Sequence, residues 1–253
     1  MALNLGTTAL NKLYLGSTQI NKAYLGAGVL FSSGFDPVSL FAAGQEGAWF
    51  DPSDLSTLFQ DSAEPPVTPV TTAGQSVGTM LDKSGNGNHA RQTTTAARPT
   101  YQTGAGLHWL NFDGVDDSMR FTNLDNMIPI LAGYLLETGF PSLASLVSGA
   151  GDFSTMRVNS EALWRNFGGS DYPDSAADVR VNDVETTTIT LDQGEIGLFI
   201  GDGTNRVGVI GHSTSTRYWS GKVYGMIIRK TNFLTAEQAA AQTYMAGKAG
   251  VTL

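Results

Sequence analysis

WSGKVYGMIIRKTNFLTAEQ, residues 219–238, holds a strand signal and a helix signal side by side. Val223, Met226, Ile227 and Ile228 form a buried-type apolar run that predicts a central strand, with Gly221 as its bulge. Thr235-Ala236-Glu237-Gln238 then fits a capping box, the threonine hydroxyl accepting from the Gln238 amide while the glutamine side chain reaches back. Ala239-Ala240-Ala241 favours propagation and Gly247 supplies a left-handed stop. The expectation is a sheet with two to three helical turns packed on it.

Working back from this stretch, strand signals recur at short intervals: LHWLNF (107–112), SMRF (118–121), TMRV (155–158), ALWRNF (162–167), DVRV (178–181), TTTITL (186–191) and EIGLFI (195–200). Gly, Asp and Asn clusters separate them, and the even spacing predicts a β-sandwich. Asn182-Asp183 and Gly201-Asp202-Gly203-Thr204-Asn205 read as hairpin tips. Residues 63–78, rich in proline and threonine, read as an extended surface loop.

The composition agrees. Of 253 residues, 30 are glycine and only 15% are charged, which favours strands and tight turns over helices. The length suits one large all-β domain. A net charge of −8 with no basic run argues against nucleic acid as a partner. Absent cysteines rule out disulfides and thiolate metal sites and suit assembly in a reducing cytosol. The longest apolar run, Met127 to Leu136, contains Pro129 and Gly133 and is about half a bilayer span, so no membrane insertion is expected. No secretory signal is apparent at the N-terminus.

The chain opens with a repeat. Leu5 to Tyr14 is restated as Leu15 to Tyr24, and Leu25-Gly26 begins a third copy. Leu10 to Leu15 alternates as a strand, and Gly16-Ser17-Thr18-Gln19 supplies turn chemistry before Ile20. The even period sets Tyr14 with Tyr24, Lys12 with Lys22 and Leu10 with Ile20 on common sides of a two- or three-strand ribbon. Such a ribbon is marginal alone, which predicts an attachment or oligomerisation role for Leu10, Lys12, Tyr14, Leu15, Ile20, Lys22, Tyr24 and Leu25. The alternative is that these strands extend the edge of the following domain. Residues 31–37 read as a linker, giving a β-repeat segment at 1–31 and a main domain at 35–253.

GAWFDPSDLSTLFQD (47–61), LDKSGNGNHARQ (81–92), LNFDGVDDSMRF (110–121) and WSGKVYGMIIRKTNFLTAEQ together resemble laminin G-like, concanavalin A-like jelly-roll domains. More narrowly, they resemble the versions carried by tailed-bacteriophage structural proteins. LGSTQINKAYLG is likewise similar to N-terminal segments of phage head and tail proteins. The resemblance implies an all-β jelly-roll sandwich with an N-terminal β-repeat segment and a C-terminal helix. It also implies a non-enzymatic virion structural protein, foremost a head-decorating or minor capsid protein on the virion surface, assembled in the host cytoplasm. A tail fibre or tail-tip receptor-binding protein and a free-standing carbohydrate-binding lectin are the alternatives. Expected partners are sister chains in a homotrimer, the major capsid protein and host surface glycans.

Catalytic patterns are sparse. Glycosidases of this fold need paired carboxylates about 5 to 9.5 Å apart, and their Glu-x-Asp-x-x-Glu strand has no counterpart. Glu185, Asp192 and Glu195 are explained by hairpin geometry. His89, His108 and His212 form no ligand pair, and neither a nucleophile elbow nor a phosphate loop occurs. Asp113, Asp116 and Asp117 offer oxygen ligands suited to calcium, yet they lack a calcium loop's carboxylate ladder. They read as a tight turn at Asp113-Gly114 with Asp116 and Asp117 solvated, and Asp82 reads as an Asx turn before a strand. Trp49, Trp109, Trp164 and Trp219 read as core residues rather than glycan platforms. No enzyme activity, cofactor or metal is expected.

Overall fold

The computed structural model describes residues 4–5, 8–9, 13–15, 18–20, 22–25, 28–32, 35–138, 143–148, 154–159, 164–165, 178–186, 188–212 and 218–253. The chain divides into two compact units, Met1–Asp36 and Pro37–Leu253.

In the first unit, β1 (Asn4–Leu5) pairs with β2 (Thr8–Ala9), β3 (Leu13–Leu15) with β4 (Thr18–Ile20), and β5 (Lys22–Leu25) with β6 (Gly28–Ser32). Each antiparallel pair is a separate two-stranded sheet, so three hairpins replace the expected ribbon. Leu5 stands opposite Thr8, Leu15 opposite Thr18 and Leu25 opposite Gly28. The sequence between these ends is Gly6-Thr7, Gly16-Ser17 and Gly26-Ala27, the Gly-x chemistry of a two-residue hairpin loop. One antiparallel pair therefore recurs at the start of each copy of the repeat. Thr18 and Gln19, expected in the turn, belong to β4. Phe31 and Ser32, expected in the linker, pair with Ala23 and Lys22.

The second unit begins with a 3₁₀ stretch, Pro37–Gly44, that buries Leu40 and Phe41. Its strands are β7 (Gly47–Phe50), β8 (Leu58–Phe59), β9 (Thr79–Met80), β10 (Ala90–Arg91), β11 (Thr100–Gly104), β12 (Leu107–Asp113), β13 (Met119–Leu136), β14 (Leu143–Ser148), β15 (Ser154–Asn159), β16 (Trp164–Arg165), β17 (Asp178–Val181), β18 (Val184–Glu185), β19 (Glu195–Ile210) and β20 (Ser220–Arg229), followed by α1 (Thr235–Ala249). The architecture is the expected all-β sandwich with one C-terminal helix. One antiparallel layer runs β11-β12-β20-β13-β19-β17-β18, with β7 sharing β12's edge of β20. The other runs β8-β9-β10-β13-β19-β14-β15-β16.

β13 and β19 thus serve both layers, and their irregular register is what allows it. Met127 pairs with Asn205, but the next pair is Pro129 with Ile200, so β19 spends more residues than β13 on the same step. Proline, lacking an N–H, is tolerated at such an irregularity. This corrects the expected hairpin tip at 201–205: those residues continue β19 where it changes layer. TTTITL is also corrected, since β18 ends at Glu185. The Asn182-Asp183 tip is present, with φ of 50° and 63° at its two residues, as a primed turn requires.

Alternation along β13 separates two interiors. Ile130, Ala132, Tyr134 and Leu136 join Phe50, Phe112, Met226 and Ile228 in the core between the sheets. Leu131 and Leu135 are buried on the opposite side, where α1 packs over Gly133 and Gly225 through Met245 and Ala249. β20 is central, flanked by β13 on one edge and by β12 and β7 on the other. Its bulge falls at Tyr224, between the Gly133–Gly225 and Tyr134–Val223 pairs, and not at Gly221. Gly221 is paired on both edges, and a Cβ there would meet the Leu135 carbonyl oxygen at 2.2 Å. The loop at 63–78 is not wholly superficial, because Val70 and Val77 enter the core.

Candidate functional site

Where β10 meets the start of β13, the outer face of the second layer carries a groove of about 450 Å³. Ala90, Met119 and Phe121 point into the core, so alternation turns Arg91 and Arg120 outward. The register sets these two arginines directly opposite each other. Like charges in this position destabilise a strand pair, typically by a few tenths of a kcal/mol to about 1 kcal/mol.

Arg91 forms an ion pair with Glu64, while its buried Nε has no hydrogen-bond partner among the described residues. Arg120 is exposed, and its side chain has no hydrogen-bond or ion-pair partner among the described residues. The rim is fixed by Gln92, whose Nε2 donates to the Ser118 carbonyl at 2.9 Å and to its hydroxyl at 3.0 Å. Arg98 braces the same loop, donating to the carbonyls of Gln92 and Gln60 at 2.9 Å each. His212, also in the lining, stacks on Tyr218, with ring centroids 4.3 Å apart. Asp116 also lines the groove.

Asp116 belongs to the FDGVDD turn between β12 and β13. Asp113 Oδ1 accepts from Val115 N at 2.8 Å and Asp116 N at 3.2 Å, and Asp117 Oδ2 accepts from Asp113 N at 3.0 Å. The tight turn is therefore as expected, but Asp117 is only 5% exposed rather than solvated. Burial, reinforced by the neighbouring Asp113 carboxylate, pushes Asp117 up to about 7. Carboxylate oxygens of Asp113, Asp116 and Asp117 lie within 4.8 Å of one another, and these are the residues whose chemistry suits a hard cation. Their own hydrogen bonds account for the turn.

The other sequence candidates do not converge. Glu195 is buried and accepts from Thr190 N at 3.0 Å and the Tyr134 hydroxyl at 3.3 Å, with burial raising its pKa. Asp192 instead accepts from Thr138 N at 2.9 Å, and Glu185 faces Arg180 across the β17–β18 hairpin. Asp82 forms the expected Asx turn before β10, accepting from the amides of Trp49, Ser84 and Asn88. His89 Nδ1 accepts from Asp82 N, and His108 Nδ1 lies 2.7 Å from the Tyr101 hydroxyl. Trp219 and Trp49 are buried core residues. Tyr14, Leu15, Ile20, Lys22, Tyr24 and Leu25 lie in the N-terminal hairpins, while Leu10 and Lys12 fall outside the described residues. The arginine pair was missed: each arginine sits at the polar phase of a short alternating run, but only the register couples them.

No protein-family model matches the chain, and no curated protein matches it. Among solved structures, it is similar to Trypanosoma rangeli sialidase in complex with the inhibitor DANA, at 11% identity and a TM-score of 0.48. The similarity covers 92% of this chain and 36% of the sialidase chain. Because the matched protein is an enzyme, the expectation of a non-enzymatic chain is corrected and is not carried forward. A likeness this distant assigns no activity here.

Proposed function

We propose that this chain is a structural protein of a tailed-bacteriophage particle, anchored by its N-terminal hairpins and displaying the sandwich domain on the head as a decorating or minor capsid protein. The observation that carries this reading is the threefold repetition of one two-stranded hairpin in a unit separate from the sandwich. Two-stranded sheets of two to five residues are marginal in water, so they gain stability when a second surface covers them. Sister chains in a closed homo-oligomer, a trimer in the leading form, together with the major capsid protein supply that surface. Many weak contacts then add through valency. The residue types quoted above as resembling phage head and tail proteins support the same reading.

A tail receptor-binding role is the second reading, and the groove beside Arg120 favours it. The test uses particles lacking this protein, mixed with the full chain or with a full chain carrying Tyr14→Ser, Leu15→Ser, Tyr24→Ser and Leu25→Ser. Co-sedimentation of the native chain but not the variant, with unchanged circular dichroism of the sandwich, is the expected result. Equal binding of both chains overturns the anchor.

A further inference from the structure

The groove between β10 and β13 sets two like charges opposite each other, and among the described residues only Arg91 has a counter-charge, Glu64. Arg91 and Arg120 face each other across an antiparallel pair in a chain that has only 15 basic residues and a net charge of −8. Arg91 is ion-paired with Glu64, whereas the Arg120 side chain has no hydrogen-bond or ion-pair partner among the described residues. Both side chains line the groove from neighbouring strands, and guanidinium groups recognise oxyanions through charge-assisted hydrogen bonds. Binding such a group would relieve the repulsion between them.

The rest of the lining narrows the ligand. Asp116 presents a carboxylate with no side-chain hydrogen bond among the described residues, an acceptor for hydroxyl groups and a repellent to a plain anion. The hydroxyls of Thr93, Thr94 and Ser118 add neutral partners, and Tyr218 adds a ring edge or face. A volume of about 450 Å³ holds one or two sugar units. We infer that this groove binds a carboxylate-bearing saccharide, its acid group held between Arg91 and Arg120 and its hydroxyls directed toward Asp116. The inference stands on the groove alone and holds whether or not the chain belongs to a phage particle.

The experiment is calorimetric titration of the full chain with a panel of uronic-acid and other carboxylated oligosaccharides, with their neutral counterparts, and with inorganic phosphate. The variants are Arg120→Gln and Asp116→Asn, both surface changes distant from the core. Binding of carboxylated oligosaccharides that weakens about tenfold in Arg120→Gln, as loss of a charge-assisted contact implies, and also weakens in Asp116→Asn is the expected result. Equal binding of the neutral counterparts, indifference to Arg120→Gln, or no binding by any carboxylated oligosaccharide overturns the proposal. Phosphate binding without saccharide binding, strengthened by Asp116→Asn, overturns it too and reduces the groove to a simple anion site.

Discussion

Asp51 and Lys248 stand 197 positions apart in the chain and 3.0 Å apart in the fold. Asp51 follows β7 and is 3% exposed, and its carboxylate also accepts from the Tyr244 hydroxyl at 3.0 Å and from Ser53. Lys83 joins at 3.4 Å from the turn beside Asp82. One carboxylate therefore fastens the C-terminal helix to the sheet and to the 82–88 turn.

Asp51→Asn is expected to lower stability by roughly 2 kcal/mol at pH 7, since Lys248 loses its counter-charge in a partly buried site while Lys83 keeps Asp54 at 2.7 Å. Burial alone would raise the Asp51 pKa, but Lys248, Ser53 and Lys83 together hold it below its ordinary 3.8. A depressed carboxylate stabilises the fold above the unfolded pKa and loses that contribution as pH falls through the folded one. Urea unfolding at pH 7 and near pH 3 checks this: the gap between native and variant chains narrows in acid. An equal gap at both would contradict the charge role.

Asp117 predicts the opposite slope. Its folded pKa, pushed up to about 7, lies above the unfolded value, so the folded chain holds a proton that the unfolded chain has released. Stability from this group falls as pH rises from about 4 to about 7. Asp117→Asn preserves an oxygen to accept from Asp113 N and removes that fall. Thermal unfolding across this pH range should show the native chain losing ground that the variant keeps, and parallel curves would contradict the assignment.

Two glycines on one pair of strands separate strain from packing. Gly221 has φ of 142°, and a Cβ there would collide with the Leu135 carbonyl, a backbone atom that cannot swing aside. Gly133 has its nearest neighbour in Met245 Sδ, 3.2 Å from a built Cβ, at the end of a flexible side chain. Gly221→Ala is expected to cost about 3 kcal/mol or more, and Gly133→Ala about 1 kcal/mol or less. Chemical denaturation of both variants ranks them, and the reverse order would contradict the stated register.

The helix cap is Glu237 rather than Thr235. Glu237 Oε2 accepts from Leu234 N at 2.9 Å and from Arg229 Nη1 at 2.9 Å, and Arg229 is 6% exposed. Glu237→Ala should cost roughly 2–3 kcal/mol, combining a lost cap with a buried cation left unpaired. Thr235→Ala should change stability by less than about 0.5 kcal/mol. Equal losses in the two variants would restore the threonine cap.

That last contrast shows how far the sequence could be read. Residues 235–238 announced a helix start, yet which side chain reaches back depends on where Arg229 and Leu234 come to rest, and that is tertiary. The stop moved likewise: Gly250, at φ of 72°, takes the left-handed position, and the helix runs through Gly247. Strand identity in β12, β17 and β20 was legible from alternation and flanking turn residues. The Gly201 to Asn205 cluster was misread because turn chemistry also serves a bend inside a long strand, and only the partner strand distinguishes the two. Arg91 and Arg120 were illegible as a pair for the same reason, since pairing register is not local. Asp117 looked solvated because nothing in FDGVDD reveals that its turn folds inward.

The most direct test of particle attachment is immunogold electron microscopy, using antibody against residues 37–253 on particles purified from cultures that produce this chain. Gold over the heads, at positions repeated by the shell's symmetry, is the predicted result. Gold confined to the tail contradicts head decoration in favour of receptor contact, and particles without gold contradict the virion account as a whole.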